Sequence, residues 1–245
     1  MAVVPKTWPN PQGVSFTNRL SYADPQLQTQ HQLPSAWRPL VTKQQGEKLK
    51  QLAARPTSSP PTAQTRARAR LATELQRCRT VITLPPCPNP AVAIRTIVDR
   101  THPACGEYGL FATRPLTPGT LLLVYQGRVT HYDEADPQSD YVLGLDATEW
   151  FRLAQRLATV TGQPSTELVP LRLAIDAATV GNEARFINDY RGIAAQPNVE
   201  FADFLHEATG TVNMGVWVQH HPIAAGQELL VNYGKSFWKS RQKET

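Results

Sequence analysis

The sequence contains little cysteine and no long apolar run. Three cysteines in 245 residues (Cys78, Cys87 and Cys105) are a sparse and odd set. Such a set argues against a disulfide framework and suits a reducing compartment. No run of about 18 apolar residues occurs, so we expect no membrane span and no membrane partner. The first residues also lack the apolar stretch and cleavage site of a secretory signal, which favours an intracellular protein.

Acidic residues are scarce in the first part of the chain and frequent in the second. Residues 1–90 hold 12 Lys and Arg against 3 Asp and Glu, a net charge of +9. Residues 91–245 hold 13 against 17, a net charge of −4. A basic arm attracts nucleic acid or another acidic surface, whereas an acidic body attracts a basic peptide.

Residues 1–62 form an arm that is rich in proline, glutamine and serine, with little periodic apolar pattern. Proline fixes its own φ and lacks a backbone donor, so regular elements are interrupted repeatedly. We predict that this arm is largely disordered, apart from a short helix over 43–54. Trp8, Phe16 and Trp37 are aromatic positions within it that are available for docking.

Residues 63–90 combine a basic helix with a proline-rich spacer. Good helix formers fill 63–79, and Leu71, Leu75 and Cys78 recur on one face with arginines around them. The arginines favour either a nucleic-acid contact or nuclear import, or else a solvated helix that caps the body. The run 85–90 contains four prolines and predicts a stiff polyproline spacer.

Residues 91–238 contain short β-type runs separated by turn signals, which predicts a domain that is mainly β with some α. Residues 239–245 are a short basic tail. One helix is predicted over 149–159, between the strands. Because strands and helices do not alternate, a doubly wound parallel sheet is excluded. The predicted strands are 93–98, 121–125, 141–145, 173–176, 199–204, 212–219 and 228–232.

Four clusters in this domain carry chemistry. The glycines of 106–109 permit positive φ and close approach of the backbone to a ligand, although on their own they favour an ordinary turn. Tyr125 and Tyr141 follow on strands, where tyrosines often serve packing alone. The polar run 181–192 is interleaved with apolar residues, so its amides and guanidinium must be satisfied internally or by a ligand. The run 225–238 ends a strand in a Tyr-Gly turn followed by two aromatics.

Together and in this order, the clusters resemble the SET-domain family of protein lysine methyltransferases. The family pattern is Gly-x-Gly, Tyr-x-Gly, Gly-Asn-x-(Ala/Ser)-Arg-Phe-Ile-Asn-His-Ser with a later Pro-Asn, and Glu-Leu-x-x-x-Tyr. Here the matching stretches are 106–109, 125–127, 181–188 with 197–198, and 228–233. The resemblance covers about residues 95–238. It implies an α+β SET fold of small twisted sheets, with an inserted helical segment and a knot-like C-terminal crossing.

The resemblance also implies S-adenosyl-L-methionine as the cofactor, and a channel in which a substrate lysine meets it. Tyr233 then corresponds to the catalytic tyrosine, while Tyr125 and Tyr141 correspond to the channel tyrosines. Phe237 or Trp238 would stack on the adenine. The residues that the resemblance assigns to the cofactor are Glu107, Tyr108, Gly109, Arg185, Asn188, Asp189, Tyr190, Tyr233, Phe237 and Trp238.

The chain departs from the family pattern at two places. Asp189 and Tyr190 stand where the family has His-Ser, which brings a carboxylate near the cofactor. Val231, two positions before Tyr233, replaces a usual Phe or Tyr, and the added room favours di- or trimethylation. No cysteine follows Cys105, so we expect a family type without the cysteine-rich zinc-binding segment after the domain. The earlier cysteines match no compact zinc-ligand spacing, and no metal site is expected.

Several functions remain open on the sequence. A lysine methyltransferase acting on a histone tail is favoured, because the acidic body suits the basic tail and the basic arm suits nucleic acid. The same chemistry on a ribosomal protein or translation factor is one alternative. A SET module that binds without turnover, and a nucleic-acid-binding protein acting through the arm, are the others. We expect a nuclear location, with a cytoplasmic one as the alternative.

Overall fold

The computed structural model of the protein describes residues 4–9, 13–54, 62–163, 172–235 and 237–238. The tail predicted at 239–245 lies outside the described residues. The helices are α1 (Pro25–Gln30), α2 (Lys43–Ala53), α3 (Ala63–Arg77) and α4 (Thr148–Thr161). The strands are β1 (Ser15–Phe16), β2 (Ser21–Tyr22), β3 (Thr80–Val81), β4 (Val92–Thr96), β5 (Tyr108–Ala112), β6 (Leu121–Val124), β7 (Arg128–His131), β8 (Val142–Asp146), β9 (Arg172–Asp176), β10 (Val180–Gly181), β11 (Asn188–Asp189), β12 (Val199–His206), β13 (Thr211–Val218) and β14 (Leu230–Val231).

The described strands form small sheets rather than one large one. Two four-stranded sheets have the orders β3-β12-β13-β6 and β2-β7-β9-β8, and β4-β5, β1-β10 and β11-β14 are two-stranded. The longest pairing is the antiparallel hairpin of β12 and β13, in register from Val199 opposite Val218 to His206 opposite Thr211. This arrangement confirms the prediction of a mainly β fold with some α.

The strand β5 was not predicted, because its glycines were interpreted as a turn. Of the two glycines at 106 and 109, only Gly106 has the positive φ of a turn residue, at +92°. Gly109 lies within β5 opposite Arg95 of β4. A Cβ added at Gly109 would lie 2.5 Å from Oε1 of Glu228, so close approach of the Glu228 side chain, and not a turn, requires the second glycine. The strand β7 was missed as well.

The inserted helix α4 confirms the helix predicted over 149–159. Its apolar residues recur at the spacing of one helix face, and the buried ones include Trp150, Leu153 and Leu157. Gly162 ends the helix in the left-handed conformation, with φ at +73°. Within the described part of the chain, no helix has both the length and the apolar character that a membrane crossing requires.

Over its described residues 4–9 and 13–54, the N-terminal arm is folded, where composition predicted a largely disordered segment. The described residues of the arm form β1, β2, α1 and α2, and bury apolar side chains in the common core. These are Leu27, Leu33, Trp37, Val41 and Leu49. The prediction weighed only the composition of the arm, whereas these side chains are buried in a core that they share with the rest of the chain. The proline-rich run at 55–61 lies outside the described residues.

The arm also adds strands to the edges of the body. β2 pairs in parallel with β7, with Ser21 opposite Arg128. β1 pairs in parallel with β10, with Phe16 opposite Gly181. These pairings give the short arm strands backbone partners that they cannot supply to each other.

The basic helix α3 packs as one half of a helical hairpin with α2. Thr62 caps its first turn, and its buried residues are Leu71, Ala72 and Leu75. Arg66, Arg70 and Arg77 are exposed, and their spacing of four and seven residues places them on one face. The helix therefore covers the body with its apolar face and presents an arginine stripe outward.

A crossing of two chain segments near the C-terminus builds the core of the site. β11 and β14 pair in parallel, with Asn188 opposite Leu230 and Asp189 opposite Val231. The side chain of Asn198 joins the same place, since its Nδ2 donates to the Glu228 carbonyl at 2.8 Å and its Oδ1 accepts from Leu230 N at 2.8 Å. This is the knot-like C-terminal crossing that the resemblance to the SET-domain family implies.

Candidate active site

Two clefts meet at a common wall. One, here called cleft A, has a volume of about 810 Å³ and is lined on one side by Glu107 and Tyr108. The other, cleft B, has a volume of about 520 Å³ and is lined by Tyr125 and Phe201. Their shared wall consists of Asp140, Tyr141, Arg185, Tyr233 and Phe237.

The Glu228 carboxylate, whose side chain is 10% exposed, supports residues that line cleft A. Its Oε1 accepts from Asn188 Nδ2 at 2.9 Å, and its Oε2 accepts from His102 Nε2 at 3.0 Å. Nδ1 of His102 accepts from Ala104 N at 3.0 Å, so the neutral ring with its proton on Nε2 satisfies both neighbours. Asn188 Nδ2 also donates to the Tyr108 carbonyl at 3.2 Å. Through these hydrogen bonds, the Glu228 side chain connects the turn at 102–106, the strand β5 and the crossing of β11 and β14.

Tyr233 lies on the common wall at the end of the final strand. Its hydroxyl donates to the Ile187 carbonyl at 2.7 Å, and its backbone N donates to Oδ2 of Asp189 at 2.8 Å. Burial, and after it the charge of Asp189, raises the pKa of Tyr233 above the ordinary value of a phenol. The phenol is therefore neutral at physiological pH, and its O–H group donates to the Ile187 carbonyl.

Tyr125 and Tyr141 line cleft B, and the phenol of Tyr125 is buried and hydrogen-bonded like that of Tyr233. The Tyr125 hydroxyl donates to the Tyr141 carbonyl at 2.8 Å, and burial raises the pKa of Tyr125. The Arg185 guanidinium lies 4.1 Å from the centre of the Tyr141 ring, and Arg185 Nε donates to the Ala177 carbonyl at 2.9 Å. The guanidinium is thus stacked and hydrogen-bonded, which fixes the ring that separates the clefts.

The polar run from 181 is satisfied within the protein. Asn182 caps the short 3-10 turn Glu183–Phe186 by accepting from Ala184 N. Its Nδ2 donates to the Val124 carbonyl at 2.9 Å, which joins the turn to β6. Of the two explanations that the sequence left open for Asn182, internal hydrogen bonding is the one observed.

Asp189, at the position where the family pattern has His, forms a hub of hydrogen bonds. Its side chain is buried, and it accepts from both the backbone N and the guanidinium of Arg191, at 2.9 Å in each case. It also accepts from Tyr233 N and, at 3.3 Å, from Trp238 Nε1. The carboxylate is therefore surrounded by hydrogen-bond donors, and the positive charge of the Arg191 guanidinium compensates its negative charge.

The structure brings some of the expected cofactor residues onto cleft A and leaves others off it. Those lining the cleft are Glu107, Tyr108, Arg185, Asn188, Tyr233 and Phe237. Gly109, Asp189, Tyr190 and Trp238 are not in its lining among the described residues, and their assignment stays a prediction. Of the two aromatics expected to cover the adenine, Phe237 lines both clefts, while Trp238 is partly exposed and hydrogen-bonded to Asp189.

Val231 is buried opposite Asp189 in the crossing. It does not line cleft A or cleft B among the residues that the structure describes. Multiple methylation through extra room at this position therefore stays a prediction.

Sequence reasoning missed several residues of the site. Asp140 and Phe186 line cleft A, and neither was singled out. Pro9 and Val14 of the arm line it too. The acidic loop before Tyr141 was a usable signal for Asp140, whereas no local pattern brings the arm to this cleft.

Comparison with known proteins identifies the family. The SET domain pattern matches residues 107–234, more than half of the chain, and the chain belongs to the SET domain family. This confirms the resemblance drawn from the four clusters. No curated protein matches the sequence.

Three solved structures illustrate the similarity of this chain to known folds. ATXR5 in complex with mono-methylated histone H3.1 is 15% identical, with a TM-score of 0.44, covering 90% of this chain and 81% of that chain. KRYPTONITE in complex with DNA, a histone H3 peptide and SAH is 18% identical, with a TM-score of 0.39, covering 63% and 24%. Polycomb Repressive Complex 2 of Chaetomium thermophilum is 23% identical, with a TM-score of 0.38, covering 62% and 17%.

This chain spans about a quarter or less of the last two proteins. Likenesses at this level concern the fold alone and say nothing about a substrate.

Proposed function

We propose that this protein is an S-adenosyl-L-methionine-dependent protein lysine N-methyltransferase. The observation that carries the proposal is the common wall of Tyr141, Arg185, Tyr233 and Phe237, which belongs to both clefts. A ligand in cleft A and a side chain entering from cleft B would meet at this wall. Holding two reactants in line at such a place converts a bimolecular displacement into an effectively unimolecular one.

Cleft A suits the proposed cofactor in size and chemistry. Its volume of about 810 Å³ falls within the range of small-molecule sites. The carboxylate of Glu107 suits a cationic group, the amide of Asn188 suits polar groups, and the ring of Phe237 suits a flat base. When bound, the cofactor supplies a methyl group on a positively charged sulfonium.

Tyr233 on the common wall and Tyr125 on cleft B would hold and orient the substrate amine. The Tyr125 and Tyr233 hydroxyls donate to carbonyls, so their oxygen lone pairs remain to accept hydrogen bonds from an amine. Both phenols have raised pKa values and do not serve as bases. Desolvation between the aromatic walls lowers the pKa of a lysine ammonium, which favours the neutral amine that the reaction requires.

A basic protein segment, with a histone tail favoured, is the proposed substrate. Asp136 and Asp140 line cleft B, and the body that surrounds the cleft is acidic in composition. Such a surface attracts a positively charged peptide. A nuclear location follows if the substrate is a histone. Methylation of a non-histone protein and binding without turnover are the alternatives that the experiment separates.

The test is transfer of a labelled methyl group from S-adenosyl-L-methionine to protein. Histone octamers, nucleosomes and a cell lysate are each incubated with the enzyme, and the labelled proteins are identified by mass spectrometry. We expect label on histone lysines. Label on lysate proteins alone would favour a non-histone substrate, and binding of the cofactor without transfer would support the non-catalytic alternative.

Tyr233→Phe is the matched variant for this assay. It removes only the hydroxyl, and we expect at least about a hundredfold loss of methyl transfer, the range typical of one positioned group in a catalytic site. The fold and the affinity for the cofactor should persist. Full activity in Tyr233→Phe would contradict the assigned role of this phenol.

A further inference from the structure

The N-terminal arm reaches the cofactor side of the site. Residues 4–9 and 13–17, here called the strap, precede the matched family region 107–234 by about 90 residues. Within the strap, Pro9 and Val14 line cleft A together with Tyr108 and Asn188. The strap therefore forms part of the cleft surface, although it lies far from the rest of the site in sequence.

Trp8 supports the wall of cleft A from behind. Its ring meets the Phe186 ring edge-on, with centroids 5.4 Å apart, and the Phe16 ring at 5.2 Å. Phe186 lines the cleft and contacts the Tyr108 ring at 5.9 Å, and the Arg185 guanidinium lies 4.9 Å from the Phe186 centroid. Trp8 thus contacts the ring that holds two of the expected cofactor residues in place.

The strap is held at both ends by hydrogen bonds to the body. Ser15 N donates to the Thr179 carbonyl at 3.0 Å, and Thr17 N donates to the Gly181 carbonyl at 2.8 Å. Toward the other end, Ile94 N donates to Oγ1 of Thr7 at 3.3 Å. The first two bonds attach the strap directly beside the Gly181-Asn182 motif.

We infer that the strap completes the cofactor site and that Trp8 is a positioning residue for cofactor binding. The inference rests on the proposed function, because it concerns the ligand of cleft A. Trp8 acts through Phe186: its ring packs edge-on against Phe186, which in turn contacts the Tyr108 ring and the Arg185 guanidinium on that side of the cleft. Removing the indole leaves that wall free to shift.

The test measures the affinity for S-adenosylhomocysteine by titration calorimetry in the full chain. We compare the wild type with Trp8→Ala, Trp8→Phe and deletion of residues 1–9, which leaves β1 intact. Lys6→Ala is the control, since Lys6 is an exposed residue of the same segment. Measurements are made at a temperature at which circular dichroism shows every variant folded.

Trp8→Ala and the deletion should weaken binding about tenfold, the scale of one lost aromatic contact with its packing. Trp8→Phe should retain most of the affinity, and Lys6→Ala all of it. In methyl transfer, KM for the cofactor should rise in Trp8→Ala while KM for the protein substrate stays unchanged.

An affinity of Trp8→Ala within twofold of the wild type would overturn the inference, and so would an equal loss in Lys6→Ala. Failure of the wild type to bind either S-adenosylhomocysteine or S-adenosyl-L-methionine would instead defeat the proposed function. The two failures are therefore distinguishable in one set of titrations.

Discussion

At the scale of single residues, the departure at Asp189 is compensated by its surroundings. A carboxylate in place of the family's His would be costly if buried alone. Here it accepts from Arg191, from Tyr233 N and from Trp238 Nε1. The aspartate at this position therefore forms a network of hydrogen bonds that connects Tyr233, on the common wall of the clefts, to Trp238.

Replacing Asp189 should destabilise the protein through this network. Asp189→Ala leaves the Tyr233 N–H and the Arg191 guanidinium without their acceptor, and we expect a loss of about 2 kcal/mol in the free energy of unfolding, measured by urea denaturation. Asp189→Asn retains an acceptor and should lose less.

The matched control is Glu149→Ala. Glu149 also pairs with an arginine, Arg152, but its side chain is 73% exposed. An exposed pair contributes little, and we expect a change below about 0.5 kcal/mol. A loss in Asp189→Ala as small as that in Glu149→Ala would show that the hub does not stabilise the fold.

At the scale of elements, a buried histidine joins α1 to the central sheet. His31 Nε2 donates to the Val212 carbonyl of β13 at 2.5 Å, and the Tyr22 hydroxyl lies 2.9 Å from Nδ1. These neighbours suit the neutral ring with its proton on Nε2. Burial lowers the pKa of His31 to about 4 from its ordinary 6.5, with the Val212 hydrogen bond acting in the opposite direction.

This contact predicts a specific loss of stability in acid. Between about pH 6.5 and pH 4 the unfolded chain binds a proton at His31 that the folded chain does not. Stability is therefore complete above pH 6.5 and falls as the pH drops, by about 3 kcal/mol at pH 4. Urea denaturation across this range should show that His31→Gln, which cannot titrate, loses less stability than the wild type.

His221→Gln is the control, because His221 is exposed. Its pH profile should follow that of the wild type, since water surrounds the His221 side chain in the folded chain as in the unfolded one. Parallel profiles for the wild type and His31→Gln would contradict the role given to His31.

At the scale of the whole molecule, basic and acidic surfaces lie on different elements. The exposed arginines of α3 form a stripe on the helical hairpin, while Asp136 and Asp140 line cleft B. A substrate that offers a basic tail beside a polyanion would suit both surfaces. A nucleosome combines the two, whereas a free histone offers only the tail.

We predict that the arginine stripe acts on nucleosomes alone. The triple variant Arg66→Gln, Arg70→Gln and Arg77→Gln should lower the salt slope of nucleosome binding by about 2 to 3, one unit per lost phosphate contact. Methylation of free histone should be unchanged. The measurement is binding and methyl transfer over a series of salt concentrations.

A triple variant with the same change of charge elsewhere serves as the control. Arg19→Gln, Arg114→Gln and Arg128→Gln also replace exposed arginines. Equal effects of the two triple variants would indicate a response to net charge, and no effect of either would rule out contact through the stripe.

The sequence by itself determined the family, the class of fold and the position of seven of the fourteen described strands. The Gly181-Asn182 motif, Asn198 and the Tyr233-Gly234 turn are local patterns, and each was recognised because the sequence resembles the SET-domain family there. Asn182 caps a turn, and Gly234 has a φ of +90°, a conformation that favours glycine. The apolar spacing of α4 and its glycine stop likewise needed no tertiary information.

Only the tertiary structure decided the role of the N-terminal arm and the composition of the clefts. Trp37 and Leu27 are buried because the body offers a surface for them, and a sparse apolar pattern along the arm does not reveal such a surface. Position 109 requires glycine because the Glu228 side chain, which lies 119 positions later in the chain, approaches it closely. Long-range contacts of this kind depend on where segments meet in space, and local propensity carries no information about that.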